Sequence, residues 1–156
     1  MPEILRAVST CLVRHGLAEN DAEAVARHLV EADMWGRSSH GMAIRLRAIC
    51  KTLRKRCGQS PTQRIVVDRG NAVRIDADGE LGYLMIVRGA ELAIERVLKH
   101  GLAIVGVSNT LHTGMLGYGT FLIARAGFVS IGFTHCCPMV VPFGGSEKLL
   151  GTNPVS

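Results

Sequence analysis

The 156-residue sequence predicts an α/β protein: a helical N-terminal portion followed by a mixed α/β domain. Two observations carry this. Apolar residues recur at helical spacing through the first 57 positions. After Ser60-Pro61 the texture changes to short β-branched runs alternating with helical stretches. A composition of 47% apolar and 20% charged residues, with mean hydropathy +0.23, describes a chain that buries a core and excludes disorder over most of its length.

In chain order, Ile4, Leu5, Val8, Leu12 and Val13 mark a first helix, stopped by Gly16. Asn20, with Glu23 in capping-box position, opens a second helix whose apolar face runs through Val25, Ala26, Leu29 and Val30. Residues 35–41 (WGRSSHG) form a loop, and a third helix spans 42–57, ending at Gly58. Short strands follow at 65–67 and 72–75 around a Gly70-Asn71 turn. A long helix covers 81–100 and stops at Gly101. Residues 102–107 read as a strand buried on both faces. The loop 108–119 leads to a helix over 120–126, or starting a few residues earlier, and 128–133 reads as a second buried strand. The tail from Thr134 is Gly- and Pro-rich loop. The division is therefore 1–60, helical, and 61–156, α/β.

Charge is unevenly placed. Residues 1–75 hold 13 basic and 7 acidic groups; residues 76–156 hold 5 and 6. The excess lies in Arg45, Arg47, Lys51, Arg54, Lys55 and Arg56. A solvated helix face, a phosphate-binding surface and an arginine clamp for an anionic small molecule all fit that segment. Stacking aromatics and zinc-finger spacing are absent from it, so no nucleic-acid partner is expected. The sequence shows neither a signal-peptide pattern at its start nor a stretch of the ~18 apolar residues that a membrane span needs. Five irregularly spaced cysteines suggest reduced thiols in a cytoplasmic protein.

Three polar loops interrupt the apolar structure: 38–41, 108–119 around His112, and the tail. Loops after buried strands gather at a sheet edge, where α/β proteins place ligands. A His there can give or take a proton near neutral pH. His15, His28 and His100 sit near helix ends or on helix faces, where dipole contacts account for them. Neither G-x-G-x-x-G nor a P-loop nor a G-x-S-x-G elbow occurs. His112 with His135-Cys136-Cys137 is a poor metal set, because adjacent cysteines do not readily chelate one ion; no metal is expected.

Taken together, Ser39-His40-Gly41, Ser108-Asn109 with His112-x-Gly114, Ala126-Gly127-Phe128, Pro138-Met139-Val140-Val141-Pro142-Phe143-Gly144-Gly145 and Gly151-Thr152-Asn153-Pro154 resemble the type 2 malate/L-lactate dehydrogenase family. The resemblance runs from the first helix to the last residue. It implies a non-Rossmann fold and hydride transfer between NAD or NADP and C2 of a small 2-hydroxy, 2-oxo or 2-imino acid. It also implies a homodimer. His112 looks like the family's catalytic His, and Ser39-His40 like the pair beside the substrate, to which proton transfer is assigned in some members. Thr152 matches a substrate contact. Arg45 is the candidate carboxylate clamp, although the family places that Arg four residues after the His, where Ile44 stands here; Arg47 is the substitute. Cys136 stands where a cofactor-contacting Ser is usual, and Pro138, Gly144, Gly145 and Asn153 match cofactor-side positions. Members are much longer than this chain. The expectation is therefore an N-terminal part of such an enzyme, with a catalytically inactive remnant acting through a partner subunit as the alternative.

Overall fold

The computed structural model describes residues 2–156. Three helices come first: α1 (Pro2–Arg14), α2 (Glu19–Met34) and α3 (Met42–Lys55), the last preceded by a 3-10 turn at Ser38–His40. Then follow β1 (Arg64–Asp68), β2 (Ala72–Glu80), α4 (Gly82–His100), β3 (Ile104–Thr110) and α5 (Gly117–Arg125). The sheet order is β1-β2-β3. β1 pairs antiparallel with β2, and β2 pairs parallel with β3 across the α4 crossover. This is the mixed α/β architecture that the alternating texture predicts.

Differences in the helices have local causes. α2 starts at Glu19, one residue before the expected cap, and Ala18 occupies the N-cap without a side-chain hydrogen bond. Glu19 and Asp21 in the first turn favour the positive end of the helix instead. Glu23 reaches forward to Arg27 at 2.7 Å rather than back to a cap. α3 is capped from a distance: the Asp33 carboxylate, at the end of α2, accepts from Met42 N–H at 2.8 Å. That carboxylate fills the space where a Cβ on Gly41 would sit, so the Gly41 position has no room for a side chain.

One core joins the two parts of the chain. Leu12, Val25, Leu29 and Leu53 from α1–α3 pack with Leu81, Tyr83 and Leu84 at the start of α4. Across the same junction, buried Glu80 accepts from Arg56 at 2.9 Å, from Gln63 at 3.1 Å and from Leu81 N–H at 2.8 Å. The expected boundary at residue 60 falls in the extended stretch between α3 and β1, yet packing crosses it. A second core joins Val73, Ile75 and Ala77 of β2 to Met85 of α4.

Two strand expectations need correction. The apolar run at 102–107 forms β3 three residues later at its far end, and it lies at a sheet edge. Ile104 is 61% exposed, so β3 is not buried on both faces. Residues 128–133 form no strand: they make a single bridge, Phe133 with Val155, and Val129 is 99% exposed. An apolar run becomes a strand only where a neighbouring backbone accepts its hydrogen bonds along its length, and here the end of the chain, residues 154–156, pairs only with residues 132–134.

Candidate active site

The loop carrying His112 is held at both ends. At its start, Leu111 N–H donates to the Glu80 carbonyl at 2.9 Å, and the Thr110 hydroxyl donates to the same oxygen at 3.1 Å. At its end, Met115 N–H donates to Nε2 of His28 at 3.0 Å. Between these points the chain passes so close to α4 that a Cβ on Gly82 would stand 2.5 Å from the Leu111 carbonyl oxygen and from Thr113 Cα. Gly114, at φ +73°, turns in the left-handed region, and a Cβ there would stand 2.5 Å from the Tyr83 ring and 2.9 Å from His28 Nε2. The sequence pattern from 112 to 114 is thus a packing requirement: the imidazole is presented by a turn that a side chain at Gly114 would block.

His28 corrects the sequence expectation. It lies on a face of α2 that is fully buried and away from the helix end, so packing rather than a dipole contact accounts for it. Its ring stacks on Tyr118 at 4.4 Å and meets Tyr83 edge-on at 5.0 Å. Because Nε2 accepts from Met115, the ring is neutral; burial, aided by His40 and His112 nearby, lowers its pKa to about 3. The signal in the sequence is its place: His28 stands three residues after Val25 and four before Ala32, inside the apolar stripe of α2.

Around His112 the structure gathers the first group of predicted residues. The His40 and His112 rings are 5.9 Å apart, and Tyr83 approaches His112 edge-on, also at 5.9 Å. Arg45 donates through Nε to the Ser39 carbonyl at 2.7 Å, tying the start of α3 to the 3-10 turn. A small cavity of about 100 Å³ is lined by Arg45, Thr52, Tyr83 and His112 with apolar neighbours. Arg45, despite its shifted register, reaches this cavity; Arg47 is exposed and does not line it. His112 keeps one side open to solvent, yet desolvation first, then the positive Arg45 and His40, lower its pKa to about 4. His40 is lowered by burial and Arg45 as well. Among the described residues the buried Tyr83 hydroxyl and His40 Nδ1 have no hydrogen-bond partner, and burial pushes the Tyr83 phenol up to about 12. Tyr83 was not legible as a site residue, since near a helix start an aromatic reads as core.

The second group forms in the tail. Thr152 N–H donates to Cys136 Sγ at 3.3 Å, the Thr152 hydroxyl lies 3.5 Å from the same sulfur, and Asn153 Oδ1 accepts from Cys136 N–H at 3.2 Å. These contacts to sulfur favour its thiolate and lower the Cys136 pKa. Gly144 and Gly145 belong to a loose hairpin closed by the Val140–Leu150 bridge, and Pro138 stands just before it. Its tip turns through Gly144 at φ +76°, with Gly145 N–H donating to the Pro142 carbonyl at 2.9 Å. No hydrogen bond or ring contact links this group to His112 among the described residues. Nor are His112, His135, Cys136 and Cys137 drawn into a common ligating set among them.

Known proteins with this sequence and shape agree with one another. The family model described as malate/L-lactate dehydrogenase matches residues 1–156. A malate dehydrogenase of Pyrococcus abyssi is 34% identical over 154 residues, covering 99% of this chain and 42% of the relative. A ureidoglycolate dehydrogenase (NAD(+)) of Escherichia coli K12 is 36% identical over 146 residues, 93% of this chain and 42% of that protein. The solved malate dehydrogenase of Pyrococcus horikoshii OT3 superposes with TM-score 0.89 at 34% identity, over 97% of this chain and 44% of its own. The chain spans about two fifths of the length of the curated relatives it matches. On this sequence match and this shared fold, the chain belongs to the malate/L-lactate dehydrogenase family.

Proposed function

We propose that this chain carries the acid–base and carboxylate-binding part of an NAD(P)-dependent oxidoreductase acting on small 2-hydroxy and 2-oxo acids. The observation that carries the reading is that His112 and Arg45 line one cavity, with the His40 ring 5.9 Å from that of His112. The names of the relatives, malate dehydrogenase and ureidoglycolate dehydrogenase (NAD(+)), support the substrate class and the cofactor.

In the oxidising direction His112, neutral because its pKa is depressed to about 4, takes the substrate hydroxyl proton on a ring nitrogen. Arg45 pairs with the carboxylate through its guanidinium fork. That pairing also helps the base: Arg45 is one of the charges that disfavour protonated His112, and a bound carboxylate offsets it. His112 therefore holds a proton more readily with substrate present than without. Ser39 and His40 are the proposed pair beside the substrate, and His40 is the second candidate for the proton. Thr152 is the proposed substrate contact from the tail.

The cofactor side rests on the chemistry of the donors. Cys136, Thr152 and Asn153 bring thiol, hydroxyl and amide groups together without a charged side chain, a set that fits the hydroxyls and carboxamide of a nicotinamide ribose. Cys136, Pro138, Gly144, Gly145 and Asn153 would hold that end of NAD or NADP, which supplies the hydride acceptor when bound. A homodimer, in the cytoplasm, completes the proposal; among the described residues no helix is long and apolar enough to cross a membrane. The test is NADH or NADPH oxidation with a panel of 2-oxo acids. Turnover that depends on His112 supports the reading. A rate unchanged in His112→Ala, with His40→Ala inactive, moves the proton to His40; no turnover with either cofactor overturns the assignment.

A further inference from the structure

Away from the cavity, α1 and α3 bring two thiols and an imidazole together. Cys11 and His15 stand one turn apart on α1 and just past its end, and Cys50 comes from α3. Cys11 Sγ and Cys50 Sγ are 3.9 Å apart, and one ring nitrogen of His15 lies within 4.8 Å of both. We propose that Cys11, His15 and Cys50 form a binding site for a thiophilic metal ion such as Zn²⁺, which would clamp α1 to α3.

The separations argue for an ion rather than for a disulfide. Two thiolates about 2.3 Å from a tetrahedral Zn²⁺ lie about 3.8 Å apart, close to the spacing found; a disulfide would need the sulfurs about 2.05 Å apart. The imidazole is already oriented. His15 Nδ1 is 2.8 Å from the Cys11 carbonyl, and Arg54 Nη2 is 2.9 Å from Nε2. A guanidinium only donates, so Nε2 accepts and Nδ1–H donates to the carbonyl, the kind of backbone contact that fixes ligand histidines. Metal binding replaces one of these two contacts. Cys50 is buried while Cys11 and His15 are half-buried, and both of the latter line an open groove along α1 with Thr10 and Arg14, which gives an ion a way in. A fourth ligand position is left for water or a small ligand. Two sulfur ligands and an imidazole suit a thiophilic ion over Ca²⁺ or Mg²⁺, which prefer oxygen ligands. The sequence reading weighs only His112 with His135-Cys136-Cys137 as ligands; Cys50 stands 39 residues from Cys11, far outside any short ligand spacing.

The test titrates the reduced, purified chain with Co²⁺ and follows the near-ultraviolet thiolate-to-cobalt band. The expected result is one ion per chain, displaced by Zn²⁺, with affinity at least roughly 10-fold weaker in Cys11→Ser and in His15→Gln and retained in Cys136→Ser/Cys137→Ser. Alkylation mapped by mass spectrometry on the unaltered chain avoids any folding defect: Zn²⁺ should protect Cys11 while exposed Cys57 still reacts. Absence of the band, equal binding by the Cys11 and His15 variants, loss only in the Cys136 and Cys137 variant, or equal alkylation of Cys11 with and without Zn²⁺ would each overturn the site.

Discussion

Residues 2–125 and residues 127–156 hold their candidate site groups by different means. In the first region, His112 sits on a turn pinned by Glu80, His28, Gly82 and Gly114 against a packed core. In the second, Cys136, Thr152 and Asn153 are tied to each other across short loops, while Phe133 and Phe143 stay exposed. The lesson is that the proposed acid–base group sits on a backbone turn fixed by packing and hydrogen bonds. The proposed cofactor contacts belong instead to a segment that few apolar contacts hold.

The largest effect that sharpens this contrast is catalytic. His112→Ala should lower turnover roughly 10²–10⁴-fold, measured as NAD(P)H oxidation, whereas Cys136→Ser should lower it far less, since a hydroxyl keeps the hydrogen-bonding role. Comparable losses in both would break the comparison. Next is Gly114→Ala. A left-handed turn costs an alanine about 1–2 kcal/mol, and the overlap with Tyr83 and His28 adds about 1–3 kcal/mol. A drop in Tm with denaturant stability lower by roughly 2–5 kcal/mol is expected, and wild-type stability would show that the turn relaxes freely.

Acid should loosen the first region before the second. The folded pKa of His28 lies at about 3, below its unfolded value of 6.5, so the unfolded chain binds the extra proton between these values. The stabilisation from neutral His28 is complete above pH 6.5. It is lost as pH falls toward 3, by up to about 1.4 kcal/mol per pH unit. His28→Gln should flatten that slope in denaturant titrations across pH; an unchanged slope assigns the acid sensitivity elsewhere. The smallest effect belongs to the tail: Phe143→Ser should change stability by under about 0.5 kcal/mol, because Phe143 is fully exposed.

The sequence made the loops legible more readily than the core. Ser39, His40 and His112 stand out because polar residues in breaks between apolar runs are visible in one dimension. His28 and Tyr83 are hidden by the same logic, since both lie within helical apolar patterns. The Asp33 cap on α3 and the Cys11–Cys50 approach arise from packing between helices, which no local spacing encodes. The strand expected at 128–133 fails for a related reason: the pattern reports a wish to be buried, and pairing depends on which backbone lies alongside.

One consequence of the depressed imidazoles concerns the field at the cavity. His28, His40 and His112 are all shifted toward the uncharged form, and Arg45 is the one charged side chain on the lining among the described residues. His28 and His112 therefore add little to the attraction an approaching anion meets above pH 6, and ionic strength, acting over a Debye length of about 8–10 Å, weakens the encounter.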